Sequence, residues 1–361
     1  MRERIQRTID DLVASGSETG LQVAVIRDGE TIVDAVAGLA GPDGPPVTPG
    51  TLFYAASTGK GVAVTLAHVA VERGLIGYGT RVAEVWPEFA THGKGGVTLR
   101  DVLLHRAGVP GLPADITVAD MCDWARMCAL VADAKPWWPP GTETGYHAQT
   151  FGYLLGETLR RATGQPLSTL LAELVTRPVS VEGEVCFSVP ENRLPRVATQ
   201  VAGPALERPP PGSPAARATP AAVLPDAAYA NRRDVLTADI PSAGTMTARG
   251  VARMYAALLG HVPGVGLVSP ERLALMAAPA FAGVDQVMGF PTTWAYGYSP
   301  YRPGGIEGRS GSTFGMIGMN GSAAWADIDT GVAVAVMRNR FAAGDLTAVE
   351  AVGRIVAEGD R

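Results

Sequence analysis

The sequence predicts a mixed α/β (α+β) fold: one antiparallel sheet built from both ends of the chain, flanked by helices, with an all-helical insertion between the halves. Three observations carry this. β-rich runs joined by turn residues occur near the N-terminus and again near the C-terminus. Helical patterns lie outside both sets. The stretch between them, from about residue 81 to 177, reads as helix broken by turns. Joining the two sets of strands in one sheet is the economical way to cover their apolar faces.

Taken in order, "MRERIQRTIDDLVASG" opens with a charged amphipathic helix over about Arg2 to Val13. "LQVAVIRDGETIVDAVAG" holds two β-rich runs around Arg27-Asp28-Gly29-Glu30, and Asp-Gly between such runs signals a hairpin. "TLFYAAS" leads into a helix that follows Ser57 and ends near Gly74, a residue suited to a C-cap. After the broken helical stretch, "GPALERPPPGSPAARATPAAVLP" (203–225) carries seven prolines and reads as a long irregular segment. "TMTARGVARMYAALLG" is a helix. "TWAYGYSPY" and "STFGMIGMNGSAAWADIDTGVAVAVMRN" read as strands, the latter with a turn at Asp329-Thr330-Gly331, and "DLTAVEAVGRIVAEG" closes the chain as a helix. The expected organisation is one catalytic domain over 1–361, with an α/β part at about 1–80 and 235–361 and a mainly helical part at about 81–234.

Composition narrows the function classes. Hydrophobic residues make up 47% and charged residues 18%, enough apolar material for a large core and against wholesale disorder. The net charge of -5 is scattered, with no basic patch to bind nucleic acid. The N-terminus lacks the apolar core of a secretory signal, and no apolar run is long enough to span a bilayer. Cys122, Cys128 and Cys186 are an odd number without CxxC spacing, which fits free thiols in a reducing compartment. A soluble cytoplasmic protein without a membrane partner is expected. The five histidines show no metal-ligand spacing, and neither GxSxG, Walker A nor a Rossmann fingerprint occurs in context, so no metal or cofactor is expected.

Three stretches carry candidate chemistry. In Ser57-Thr58-Gly59-Lys60, residues three apart share a helix face, which brings a hydroxyl to an amine. Burial among Val62, Val64 and Leu66 disfavours the ammonium, so a neutral Lys60 can take the serine proton. Read alone, the same residues describe a serine N-cap and an exposed lysine more readily, since SxxK recurs often by chance. Tyr146 follows "WWPPGTETG" and precedes an apolar helix. Its phenol can relay a proton, or the ring can simply anchor a turn. Glycines recur through Phe314 to Ser322, as where a strand edge approaches a ligand or another backbone. Trp137, Trp138 and Trp325 suit an acyl pocket and suit a core equally.

In this order the stretches resemble the serine β-lactamase and penicillin-binding-protein superfamily, and most of all its class C β-lactamase-like esterases and transacylases. The similarity extends through "LFYAASTGKGVAVTLAHVAVERGLI", "VTLRDVLLHRAGVPGL", "WWPPGTETGYHAQTFGYLLGETLRRATGQPL" and "FGMIGMNGSAAWADIDTGVAVAVMRN". The resemblance implies the serine β-lactamase/transpeptidase-like fold. It implies Ser57 as acylated nucleophile, Lys60 as its activator, and Tyr146 as general base or acid, with the base left open between the last two. Ser57 and Met319 N–H groups are the implied oxyanion hole, and Trp138, His147, Met316, Ile317 and Gly318 the substrate-binding candidates. Two departures matter. Ala148 stands where β-lactamases carry the Asn of Tyr-x-Asn, and Met316 where the family has Lys or His.

The expected activity is therefore a serine carboxylesterase acting on a small-molecule ester or thioester with an apolar acyl group, in metabolism or natural-product tailoring. The alternatives are an acyltransferase using an alcohol or amine acceptor at the same site, or a β-lactamase-fold protein that binds a ligand without acyl-enzyme turnover.

Overall fold

Valine and alanine alternate along "VAVAVMR", and that alternation sets the layers of the fold. The computed structural model describes residues 1–204, 207–300, 302–304 and 311–359. Its main sheet has five strands: β1 (Gly20–Arg27), β2 (Glu30–Gly38), β3 (Thr313–Ile317), β4 (Ala323–Asp327) and β5 (Val332–Arg338). They lie in the order β2-β1-β5-β4-β3, each neighbouring pair antiparallel. Five helices position the site: α1 (Arg2–Ala14), α2 (Thr58–Glu72), α3 (Thr150–Thr163), α4 (Ala248–Leu258) and α5 (Thr347–Glu358).

Successive strand residues point to opposite faces. Val332, Val334 and Val336 of β5 therefore pack with Leu21, Val23 and Val25 against Ile5 and Ile9 of α1 and Val349 and Val352 of α5. Ala333 and Ala335, with Ala24, Ala324 and Ala326, face the main core that holds α2 and α4. Small side chains on this face let the inner helices seat close to the sheet, while larger ones meet the terminal helices. The predicted β1–β2 hairpin is present, with both turn residues at positive φ, Asp28 at 49° and Gly29 at 85°.

Helix α2 is buried on every side from Thr58 to Ala70, as an all-round apolar helix must be. Its polar atoms find partners inside. Thr65 Oγ1 donates to the Gly61 carbonyl at 2.8 Å, and His68 bridges the Tyr78 hydroxyl at 2.7 Å and the Tyr296 carbonyl at 2.8 Å. Gly74, at φ 71°, follows its C-terminus as the sequence predicts.

Among its described residues the insertion has helices and two short strands, which stitch it to the sheet-bearing part. Val185–Cys186 pairs with Thr245–Met246, which also pairs with Phe53–Tyr54. Val201–Ala202 runs parallel to Arg340–Phe341. Of "TWAYGYSPY", only Thr293 and Trp294 are strand among the described residues, the end of Pro291–Trp294, which pairs with Phe281–Val284. Gly297 (φ 85°) then bends the chain where a Cβ would stand 2.7 Å from Val64 Cγ2, Ser299 makes one bridge to Gly315, and Tyr301 lies outside the described residues. The proline-rich segment, described except at 205–206, is folded: Ser213 caps a short helix, Pro214–Ala218, by accepting the Ala216 N–H at 3.3 Å. No helix among the described residues is long and apolar enough to cross a membrane.

Candidate active site

Ala56 has φ 43°, a left-handed conformation strained for alanine. It turns the chain sharply from strand Phe53–Tyr54 into α2 and leaves Ser57 at the helix N-cap, where its side chain makes no capping bond. One turn on, Lys60 Nζ donates to Ser57 Oγ at 3.0 Å and to the Ser242 carbonyl at 2.9 Å. Lys60 is 1% exposed, and burial pulls its pKa down to about 7.

The carbonyl that steadies Lys60 arrives on a loop held between two glycines. A Cβ at Gly59 would stand 2.2 Å from the Ala243 carbonyl carbon, and one at Gly152 in α3 2.1 Å from the Ser242 nitrogen. Gly59→Ala is therefore expected to cost about 1–3 kcal/mol through overpacking, seen as a lower Tm, and to lower turnover by pushing Ser242 off Lys60. A variant with unchanged Tm and rate would show that this close approach is dispensable.

Tyr146 comes from the insertion, before α3. Its backbone N–H donates to Asp285 Oδ1 at 3.0 Å, and the same oxygen takes the N–H groups of Val287 and Met288, each at 2.9 Å. The ring stacks on Trp294 at 5.6 Å and 5°, meets the His105 ring edge-on at 5.0 Å, and has Lys60 Nζ 5.1 Å from its centroid. Burial pushes the phenol up to about 12; the Ser57 hydroxyl beside it pulls the other way and the Asp285 carboxylate adds to the rise. His105 is held well below the usual histidine range by burial, then by His147 and Lys60, so it stays neutral.

Beyond β3 the chain folds over the start of α2. Gly318 N–H donates to the Ser322 carbonyl at 2.7 Å, Thr58 Oγ1 to the same carbonyl at 3.0 Å, and Asn320 Nδ2 to the Tyr54 carbonyl at 2.9 Å. The backbone N–H groups of Ser57 and Met319 have no acceptor among the described residues. Two such donors beside a nucleophile suit an oxyanion.

These elements enclose a cavity of about 240 Å³. Ser57, Lys60, Tyr146 and Met319 line it, with Tyr54, Ala148, Gln149, Ser242, Val287 and Met288. One wall comes from the proline-rich segment, through Pro209, Ala215, Ala218, Thr219, Leu224 and Pro225. Lys60 is the single ionisable cation among the described lining residues. A wider groove of about 870 Å³ beside Leu112, Leu130, Trp137 and Arg217 contains none of the Ser57, Lys60 and Tyr146 set.

The residues expected to bind substrate do not line this cavity, each for a physical reason. Met316 is 4% exposed and packs in the core against Gly61 of α2. Ile317 points to the opposite face of the sheet, toward α1 and α5, as strand alternation requires. Gly318 lies against the Ala55 carbonyl. His147 is buried, with Nε2 accepting the Val109 N–H at 3.0 Å and Nδ1 bonded to the Gly145 carbonyl at 2.6 Å, so it braces the Tyr146 loop. Trp138 packs on Ala218 and Val287, behind the pocket wall. Trp325 is in the core on the α1 and α5 side. Met316 thus supplies no group to the cavity, and the lost cation or donor at that position is not replaced by another charge there.

Sequence reasoning missed Ser242, Gln149, Asp285 and Trp294. Asp285 is joined to Tyr146 across 139 residues and Ser242 to Lys60 across 182, separations at which no local spacing exists to read. The glycines opposite the Ser242 loop, Gly59 and Gly152, are the one trace of it in the sequence.

The chain is similar to known proteins over nearly its whole length. The Beta-lactamase family model matches residues 5–357. The esterase/beta-lactamase LipL of Mycobacterium tuberculosis is 32% identical over 348 residues, covering 89% of this chain and 77% of its own. A family VIII carboxylesterase crystal structure superposes with a TM-score of 0.88 at 30% identity, over 99% of this chain and 97% of the other. A penicillin-binding-protein homologue from Caulobacter crescentus superposes with a TM-score of 0.87 at 32% identity, over 98% and 96%. A match over nearly the whole length, on a fold with Ser57 and Lys60 in hydrogen-bond contact on its central helix, places this chain in the β-lactamase family.

Proposed function

We propose that the protein is a serine carboxylesterase that hydrolyses a neutral, apolar small-molecule ester through an acyl-enzyme on Ser57. The observation that carries this is the 3.0 Å contact between Ser57 Oγ and a buried Lys60 whose pKa has fallen to about 7. Neutral Lys60 takes the Ser57 proton as Oγ adds to the ester carbonyl. The developing oxyanion rests on the Ser57 and Met319 N–H groups. Tyr146, protonated across the working pH range, passes a proton to the departing alkoxide and recovers one from Lys60. Water then adds to the acyl carbonyl by the reverse route and frees Ser57.

The cavity supports an ester over a penicillin-like substrate. Its described lining holds no arginine and no lysine besides the base, so a carboxylate would enter an apolar site without an ion partner. The family VIII carboxylesterase is named as an esterase alone, whereas LipL is named for both activities.

Incubation with a fluorophosphonate is expected to add one adduct by intact mass, and p-nitrophenyl butyrate to be turned over; Ser57→Ala is expected to lose both. An adduct that persists in Ser57→Ala, or none in the wild type, would overturn the proposal. Added alcohol tests the acceptor: ester products in place of free acid would mark a transferase.

A further inference from the structure

The most exposed large apolar side chains among the described residues lie on the hairpin whose turn lines the catalytic pocket. We infer that the turn of the Phe281–Val284 and Pro291–Trp294 hairpin is a subsite for the alkyl chain of a medium- to long-chain ester, which leaves the pocket and lies across Val284, Phe290 and Pro291. This rests on the esterase reading of Ser57.

Cavity size is the first reason. At the roughly 30 Å³ a water-sized group occupies, about 240 Å³ holds about eight non-hydrogen groups, an ester linkage and a short chain. Anything longer must come out.

The second reason is where apolar surface waits. Among the described residues the two most exposed large apolar side chains are Phe290 at 54% and Val284 at 53%. Val284 pairs in register with Pro291, also exposed, so the three form one lip. The lip is continuous with the pocket wall: the Asp285 N–H closes the turn onto the Phe290 carbonyl at 3.1 Å, and Val287 and Met288 of that turn line the cavity. The wall at Pro209 is flanked by exposed Glu207 and Arg208 on one side and by exposed Pro210 and Pro211 on the other, none of them as large an apolar side chain as Phe290. A chain leaving the pocket meets the most exposed large apolar side chains over the hairpin.

The third reason is rigidity. A two-stranded hairpin is marginal alone, yet this one is fastened to the Tyr146 loop. Asp285 Oδ1 accepts the Tyr146 N–H, the Gln286 N–H donates to the Thr144 carbonyl at 2.9 Å, and Trp294 stacks on the Tyr146 ring. The lip is therefore a preformed platform at a fixed place beside the nucleophile.

A methylene fully removed from water gains about fourfold in binding, so one lying on an open surface gains about twofold. Across p-nitrophenyl hexanoate, octanoate and decanoate, used below their micelle concentrations, wild-type kcat/KM is expected to rise about 16-fold in total, about twofold for each of four methylenes. In the double variant Val284→Ser, Phe290→Ser the decanoate-to-hexanoate ratio is expected to fall to about two or less. The ratio cancels any general loss from imperfect folding. An equal ratio in variant and wild type, or no gain with chain length in the wild type, overturns the subsite. Absence of turnover even with butyrate would instead overturn the esterase reading beneath it. Sedimentation velocity is the remaining arm: a wild-type dimer that the double variant dissociates would make the lip an interface between copies, and overturn the inference.

Discussion

Lys60→Met is expected to lower kcat/KM for p-nitrophenyl butyrate by about 10²–10⁴-fold and to erase its pH dependence near neutrality. In the wild type the rate should climb as Lys60 loses its proton, through a single ionisation at about pH 7. Below that pH the ammonium cannot accept the Ser57 proton. Above it the limb should stay flat to high pH, because the Tyr146 phenol holds its proton to about 12. The same substitution should raise stability. Unfolded Lys60 binds a proton up to about its ordinary 10.5, whereas folded Lys60 releases it at about 7. Between those values the unfolded state binds more protons, so the lysine's cost is full below pH 7 and shrinks as pH rises toward 10.5. The Tm gain of Lys60→Met should therefore be larger at pH 7 than at pH 10. A variant that keeps the neutral-pH limb would remove Lys60 from the base role.

Tyr146→Phe is expected to lower kcat by about 10²–10⁴-fold while leaving the limb near pH 7 in place. Phenylalanine keeps the stack on Trp294 and the backbone bond to Asp285, so the loop should hold and KM should change little. Only the hydroxyl beside Ser57 is removed. The two variants together separate roles that the sequence left open. If the tyrosinate were the base, the limb would vanish in Tyr146→Phe and survive in Lys60→Met.

Much of the fold was legible because its signals are local. The Asp28-Gly29 turn, the Val/Ala alternation of β5 and the apolar run of α2 each report one element, and each element is where it was read. Ser57 and Lys60 were legible for the same reason, since three residues of helix fix their relation. Met316 was legible as a position on a strand near the site but not as a side chain. Which face it took depends on the pairing of β3 with β4, and that pairing turned it onto Gly61 and away from the cavity.

A sheet drawn from both termini, a buried central helix, and a serine and lysine one turn apart at its start can all be read from neighbouring residues. What that pair can do depends on how distant segments pack around it. Lys60 becomes a base near neutral pH because α2 is enclosed on every side, and its partner is a carbonyl 182 residues away. Tyr146 reaches the pair because Asp285 and Trp294 hold its loop. The proline-rich segment, which reads in sequence as an irregular excursion, folds back to form a pocket wall. Periodicity and turn chemistry are properties of a few adjacent residues, whereas desolvation and the shape of a cavity belong to chains brought together from far apart, and no local pattern encodes them.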